Sequence, residues 1–388
     1  MINFRIYAWS AYLCCSWMWC IGLFYPVLLY RDFGSISWYF FSIPNILGAV
    51  FFPWVIKNAQ QSKDFIKKHI FFCKLFSFVT VLFQFYFLLC ILIPFVSIQG
   101  LILILFFSLL FFFICENHIL IVSPIIWTVS LLSLLVIFKF HYKLTLPIPV
   151  RDNVQIKEVL GLLPVFIIGF FFCPYLDLTF HRVVKELQIY QLKLAYIIAF
   201  LLLFLCFLIL GIYYYPIAYQ VFFRISNPSL SPAYLAFYIY IIIQIVFTGV
   251  VHLQEFSNLR PSVSFWNFFI YISIGLFLYA VFANGEIIIL GKIMYLREII
   301  YRCFLSFYGL ATPLYFWIFC INTYSCQSLT NRKKWFIWLI IFFAVLPFYI
   351  LGFFGDFRII PYVLPAGVLI ILLAPYLISH LIQFTCKK

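Results

Sequence analysis

The sequence predicts an all-α integral membrane bundle of about twelve transmembrane helices, and three observations carry that prediction. Of 388 residues, 66% are hydrophobic and 9% are charged, and the mean hydropathy is +1.13. Soluble domains carry about 25% charged residues, so a core folded in water would leave large apolar surfaces exposed. Apolar runs of bilayer-crossing length, about 20 residues each, recur along the whole chain. The longest polar connections, near 57–69 and 139–158, are too short to enclose a soluble domain. Residues 1–388 therefore read as one transmembrane domain.

In order, the spans fall near 6–28, 36–56, 70–93, 98–114, 119–138, 159–180, 193–215, 232–252, 265–284, 302–321, 334–353 and 361–383. The first follows only Arg5, exceeds signal-peptide length and lacks a small-residue cleavage pattern, so it counts as a span. One helix over 98–138 would be about 60 Å long, twice the hydrocarbon thickness. Glu116-Asn117-His118 is therefore expected at a hairpin tip. The 285–302 connection mixes Ile288, Ile289 and Met294 with Lys292, Arg297 and Glu298, which predicts a short helix lying in the interface, or else a longer tenth span.

The formal net charge is +14, but Lys and Arg are scattered through short loops, so nucleic acid is not an expected partner. Their uneven division between alternate loops, with Arg5, Lys57, Lys63, Lys67, Lys68, Arg332, Lys333 and Lys334 on one side, places both termini in the cytoplasm. The expected setting is a bacterial inner membrane. Cysteines such as Cys14, Cys15, Cys90 and Cys173 sit inside apolar runs without metal-site spacing and read as buried small hydrophobes. No hydrolase, nucleotide-binding or paired-carboxylate motif occurs. No cofactor, metal or catalytic residue is expected, and the chain is not expected to be an enzyme.

Two motifs stand out. Span two places Ser42, Pro44, Asn45 and Gly48 near the bilayer midplane. Pro44 cannot donate to its i−4 carbonyl, so the helix is expected to be kinked or unwound between Ser42 and Gly48. In transporters such broken helices offer carbonyls to ions and substrates; the plainer reading is a kink satisfied by neighbouring helices. The end of span six carries Asp177 and His181, four apart and so on one helix face, where a carboxylate beside an imidazole could take and pass a proton. The plainer reading there is an interfacial ion pair with Arg182. Burial would raise the Asp177 pKa and a protonated His181 would lower it.

Single polar residues interrupt other spans: Thr80 and Gln84, then Gln244, Thr248 and His252, Asn284 with Glu286, and Thr312-Pro313. Most read as interhelical hydrogen bonds, with Gln244 and Thr312, at mid-depth, the best placed to line a pathway. Asp32, in a loop of about seven residues, is the one candidate for a glycosyltransferase-type acid.

The Ile43-Pro44-Asn45-x-x-Gly48 stretch with Trp54, together with Cys173-Pro174-Tyr175-x-Asp177, resembles poorly characterised membrane proteins related to sodium:solute symporters. That resemblance implies an inverted-repeat bundle with discontinuous helices and puts Pro44, Asn45 and Gly48 in one broken helix. The expected function is secondary transport of an unidentified small solute. The bilayer, that solute and a coupling ion are the expected partners. A membrane enzyme or flippase acting on lipid-linked sugars is the second reading and a non-transporting scaffold the third.

Overall fold

The computed structural model describes residues 3–18, 20–92, 98–140, 148–224, 231–282, 285–321 and 330–385. Their order is α1 Phe4–Trp17, α2 Cys20–Phe33, α3 Ser37–Val55, α4 Ala59–Leu92, α5 Ile98–Phe140, α6 Ile156–Phe172 and α7 Leu178–Glu186. There follow α8 Ile189–Phe223, α9 Pro232–Asn258, α10 Val263–Phe282, strands β1 Glu286–Ile289 and β2 Lys292–Tyr295, α11 Leu296–Ile321, α12 Asn331–Phe354 and α13 Ile360–Thr385. Among the described residues nine helices are long and apolar enough to cross a membrane, ten if the bent pair α1 and α2 forms one span. Outer faces are apolar, as with Ile121, Ile125 and Leu132 of α5, while Ser130, Gln244 and His252 are buried. Apolar outside and polar inside is the pattern of a multi-spanning protein dissolved in a bilayer.

The count of twelve is not reproduced, for local reasons. Between Ile98 and Phe140 two helices meet at a kink at His118, within the Glu116-Asn117-His118 triplet expected at a hairpin tip. The triplet holds neither glycine nor proline, and only His118 leaves helical geometry (φ −127, ψ 27). Val263–Tyr279 is a shorter apolar helix. Of the two forms expected for span two, kinked or unwound, the unwound one does not occur: α3 is helical from Ser37 to Val55. Pro44 costs that helix only the bond to the Phe40 carbonyl. The chain does break in its first span, where α1 and α2 meet at 50°.

The chain forms two compact units. The first comprises Met1–Gly34, Ile46–Arg151 and Pro174–Gly285. Within it α9 packs along α5 and α4, and α1 along α5 and α9. The second comprises Ser35–Asn45, Asp152–Cys173 and Glu286–Lys388, in which α13 packs on α6 and α12. There α6 and α13 approach closely because residue 161 is glycine: a Cβ on Gly161 would lie 2.7 Å from the Pro361 Cα.

Proline also shapes α11. Pro313 has no N–H for the Gly309 carbonyl, and the backbone on either side of Thr312–Phe316 opens into π-helical turns. The Thr312 N–H donates to Phe307 O. The Tyr349 hydroxyl takes Gly309 O at 2.9 Å, and Cys173 Sγ lies 3.6 Å from Tyr308 O. Lower in the same helix, Arg302 pairs with Glu298 at 2.8 Å and donates to Phe353 O at 3.1 Å, all out of contact with solvent.

The 285–302 connection is not an interfacial helix. Glu286 to Tyr295 is a two-stranded antiparallel hairpin pairing Ile289 with Lys292. Leu290 and Gly291 have positive φ (49 and 80), the requirement of a type I′ turn. Helix resumes at Leu296, so the longer tenth span is the form realised from there on.

Candidate functional site

The site lies in the first unit, where the end of α1, the start of α7 and the polar stripe of α9 meet. The span containing α6 ends at Tyr175, after a single 3-10 turn at Cys173-Pro174-Tyr175. Asp177 follows in extended conformation (φ −80, ψ 111) and caps α7. Its Oδ1 accepts from the Thr179 N–H at 2.8 Å and from the Thr179 hydroxyl at 2.7 Å. This satisfies a backbone donor at the head of the helix, as an N-cap should.

The other carboxylate oxygen is different. Oδ2 of Asp177 makes no hydrogen bond among the described residues, and its nearest charged or chargeable neighbour is His252 Nε2 at 3.8 Å. That is too far for a hydrogen bond. Both residues are fully buried. Burial pushes the Asp177 carboxyl up to about 7, the two Thr179 bonds oppose that, and the neighbouring Glu255 reinforces it.

Around this pair the polar groups interlock. The Thr248 hydroxyl donates to Cys15 O at 2.9 Å near the end of α1, where the Met18 N–H also donates to that carbonyl at 3.3 Å. Ser16 Oγ stands 3.3 Å from Thr179 Oγ1. One turn up α9, the Gln244 amide donates to Ser130 Oγ at 2.7 Å, while its Oε1 makes no hydrogen bond among the described residues. On the other side Arg182 reaches Glu255 and Gln254, each at 3.3 Å, and lies over the Tyr12 ring.

His181 is not the partner of Asp177. Because Asp177 precedes the helix instead of lying in it, the four-residue spacing does not bring the two together. His181 Nε2 lies 2.9 Å from Tyr175 O and Nδ1 2.9 Å from Ser62 Oγ. A carbonyl only accepts, so Nε2 carries the proton and Nδ1 accepts from the serine. Burial holds this imidazole down to about 4, so it stays neutral and braces α7 against α4.

Of the other residues singled out in the sequence, Ser42, Pro44, Asn45 and Thr312 belong to the second unit and Gly48 to the first. Ser42, Asn45 and Thr312 are buried, and the hydroxyls of Ser42 and Thr312 make no hydrogen bond among the described residues. Asp32 is buried and paired with Arg31 at 2.7 Å. Glu116, Asn117 and His118 are exposed. Asn284 lies outside the described residues.

Sequence reasoning missed Ser16, Thr179 and Glu255, and took His252 as one isolated polar residue. The signal was present in part. Gln244, Thr248, His252 and Glu255 follow four-, four- and three-residue steps, which put them on one helical face.

Compared with protein-family models, curated proteins and solved structures, the chain matches none. Fold and site together define a multi-spanning, all-α integral membrane protein with an ionisable cluster buried in its first unit.

Proposed function

We propose that the protein is a secondary transporter of a small solute, coupled to protons through Asp177. One observation supports this most: a fully buried carboxylate oxygen with no hydrogen bond among the described residues, 3.8 Å from an imidazole nitrogen. Ionisable groups within membrane proteins are costly and mark ion or substrate pathways. At 3.8 Å nothing fits between the two atoms, so a proton passes between these groups only through a water or solute group that reaches both from one side. The broken first span supports the same reading, since Cys15 O and Ser16 stand at the break as in discontinuous transporter helices.

In this scheme Asp177 binds a proton from one side, its neutral form permits solute entry, and loss of the proton to the other side resets the site. Gln244 Oε1 is the group proposed to meet the solute, beside the imidazole of His252. The buried Arg31–Asp32 pair, which offers no free acid, weighs against the enzyme reading. The proposal includes a bacterial inner membrane with both termini cytoplasmic: reporters fused after Lys388 and inserted near Asp64 then both give cytoplasmic signals, and an outside signal from either overturns that orientation.

The test uses the full chain in liposomes containing a pH-sensitive dye, with amino acids, sugars, organic acids and nucleosides added in turn. Solute-dependent proton entry that Asp177→Asn abolishes is the expected result. Absence of proton movement with every class, from correctly inserted protein, would remove the proposal.

A further inference from the structure

On the face of α9 away from the polar cluster, the first unit contains a second feature that the transport reading does not use. Ile245, Gly249 and Val250 of α9, with Val81 and Gln84 of α4 and Phe112 of α5, line a cavity of about 250 Å³. Among the described residues its wall is hydrocarbon apart from Gln84 and Ser108. Gln84 is 1% exposed, and neither its amide nitrogen nor its amide oxygen makes a hydrogen bond among the described residues. Gly249 keeps the space open opposite it, since even a Cβ there would come only to 4.0 Å of the Gln84 Cβ.

A primary amide surrounded by hydrocarbon is unfavourable unless something pairs with it. A water would need two to four polar partners, and this wall supplies few. Among the described residues no charged side chain lines the cavity, so an ion would be buried without a counter-charge. The volume falls below the range of about 300–1,000 Å³ typical of drug-sized ligands, which suits a single ring or a short alkyl chain. We propose that this cavity binds an uncharged, largely apolar molecule that pairs one amide- or ester-type group with Gln84. The source is either a bilayer lipid, entering by its ester end, or a free small molecule. The site is independent of proton coupling at Asp177, so either proposal can fail alone.

The probe is 4-bromobenzamide, with 4-bromobenzoate, ionised at pH 7.5, as its charged counterpart. Binding to the full chain in detergent is measured by equilibrium dialysis. The benzamide should bind and the benzoate should not. Gln84→Leu should weaken benzamide binding about tenfold or more, the loss of one buried hydrogen-bonded group, and Gly249→Leu should abolish it by filling the space. Should Gln84→Leu not give a monodisperse protein, Gln84→Met serves in its place. In phosphatidylcholine nanodiscs, loss of benzamide binding together with phospholipid retained in native mass spectra, and missing from Gly249→Leu, supports a lipid occupant. Undiminished binding there supports a free small molecule. Equal binding by wild type and variants, equal binding of benzoate, or high-resolution density showing water alone on the Gln84 amide at saturating benzamide would overturn the proposal.

Discussion

Oδ2 of Asp177 faces Nε2 of His252 across 3.8 Å in an environment from which solvent is excluded. Oδ1 of the same carboxylate is fully engaged by Thr179. One side chain thus does two things: one oxygen fixes the head of α7, and the other is left for chemistry. Glu255, Arg182, Tyr12 and Cys73 complete the electrostatic surroundings.

The first prediction separates the two oxygens. With its pKa near 7, folded Asp177 keeps a proton that the unfolded chain, near the ordinary carboxylate value, has already lost. The unfolded state therefore binds fewer protons between about pH 4 and 7, and stability falls as pH rises through that window. Asp177→Asn preserves the Oδ1 acceptor and removes the charge. Unfolding temperatures in detergent should show the variant more stable than wild type at pH 8 and similar at pH 4, the gain being one that active sites commonly forgo. Parallel pH profiles for the two proteins would show that the carboxyl carries no such burial cost.

A second prediction concerns the π-helical turns of α11. Tyr349→Phe leaves Gly309 O without a donor in an apolar setting, which should cost about 1–3 kcal/mol. Pro313→Ala supplies the missing N–H four residues on, so the double variant should recover most of the loss. A double-mutant cycle by chemical denaturation measures that coupling. Strictly additive effects would mean that the proline is not the cause of the opened turn.

The buried pair Arg302 and Glu298 yields a third. Arg302→Met alone removes the guanidinium beside the buried Glu298 carboxylate and should destabilise by about 3–5 kcal/mol. Adding Glu298→Leu should restore a large part of that, because the pair together carries a desolvation cost. Denaturation of the single and double variants decides it; a double variant no better than the single one would refute the assignment.

Gly161→Ala is the fourth. The methyl group would meet backbone atoms of Pro361 at 2.7 and 2.8 Å, which cannot rotate away. Overpacking of this kind costs about 1–3 kcal/mol. The melting temperature should drop accordingly, while Gly275→Ala, with nothing within 4 Å, should be neutral. Equal effects at both positions would contradict the close approach of α6 and α13.

The class of fold was legible because composition alone settles the solvent, and the α9 stripe was legible as a periodicity. The break in the first span was not: Cys14-Cys15-Ser16-Trp17-Met18 contains neither glycine nor proline to signal it. Pro44 does not unwind α3, since a proline removes one hydrogen bond and the residues on either side stay helical. Asp177 was noticed for its depth but assigned the wrong partner, since helical spacing applies only to residues inside a helix, and this one caps it. The hairpin at 286–295 was hidden because Ile287-Ile288-Ile289-Leu290 is a continuous apolar run without strand alternation, although Gly291 is the turn residue that such a hairpin uses.

The account rests on Asp177 as the proton-binding group, and its most direct test is the pH at which that carboxyl titrates in the intact protein. Difference infrared spectroscopy of the full chain in lipid, wild type minus Asp177→Asn, isolates the protonated carboxyl stretch of this one residue. The account predicts a band that appears on acidification with a midpoint near 7, shifted when His252→Ala removes the facing imidazole. A midpoint near the ordinary carboxylate value, or a band indifferent to His252→Ala, would contradict it.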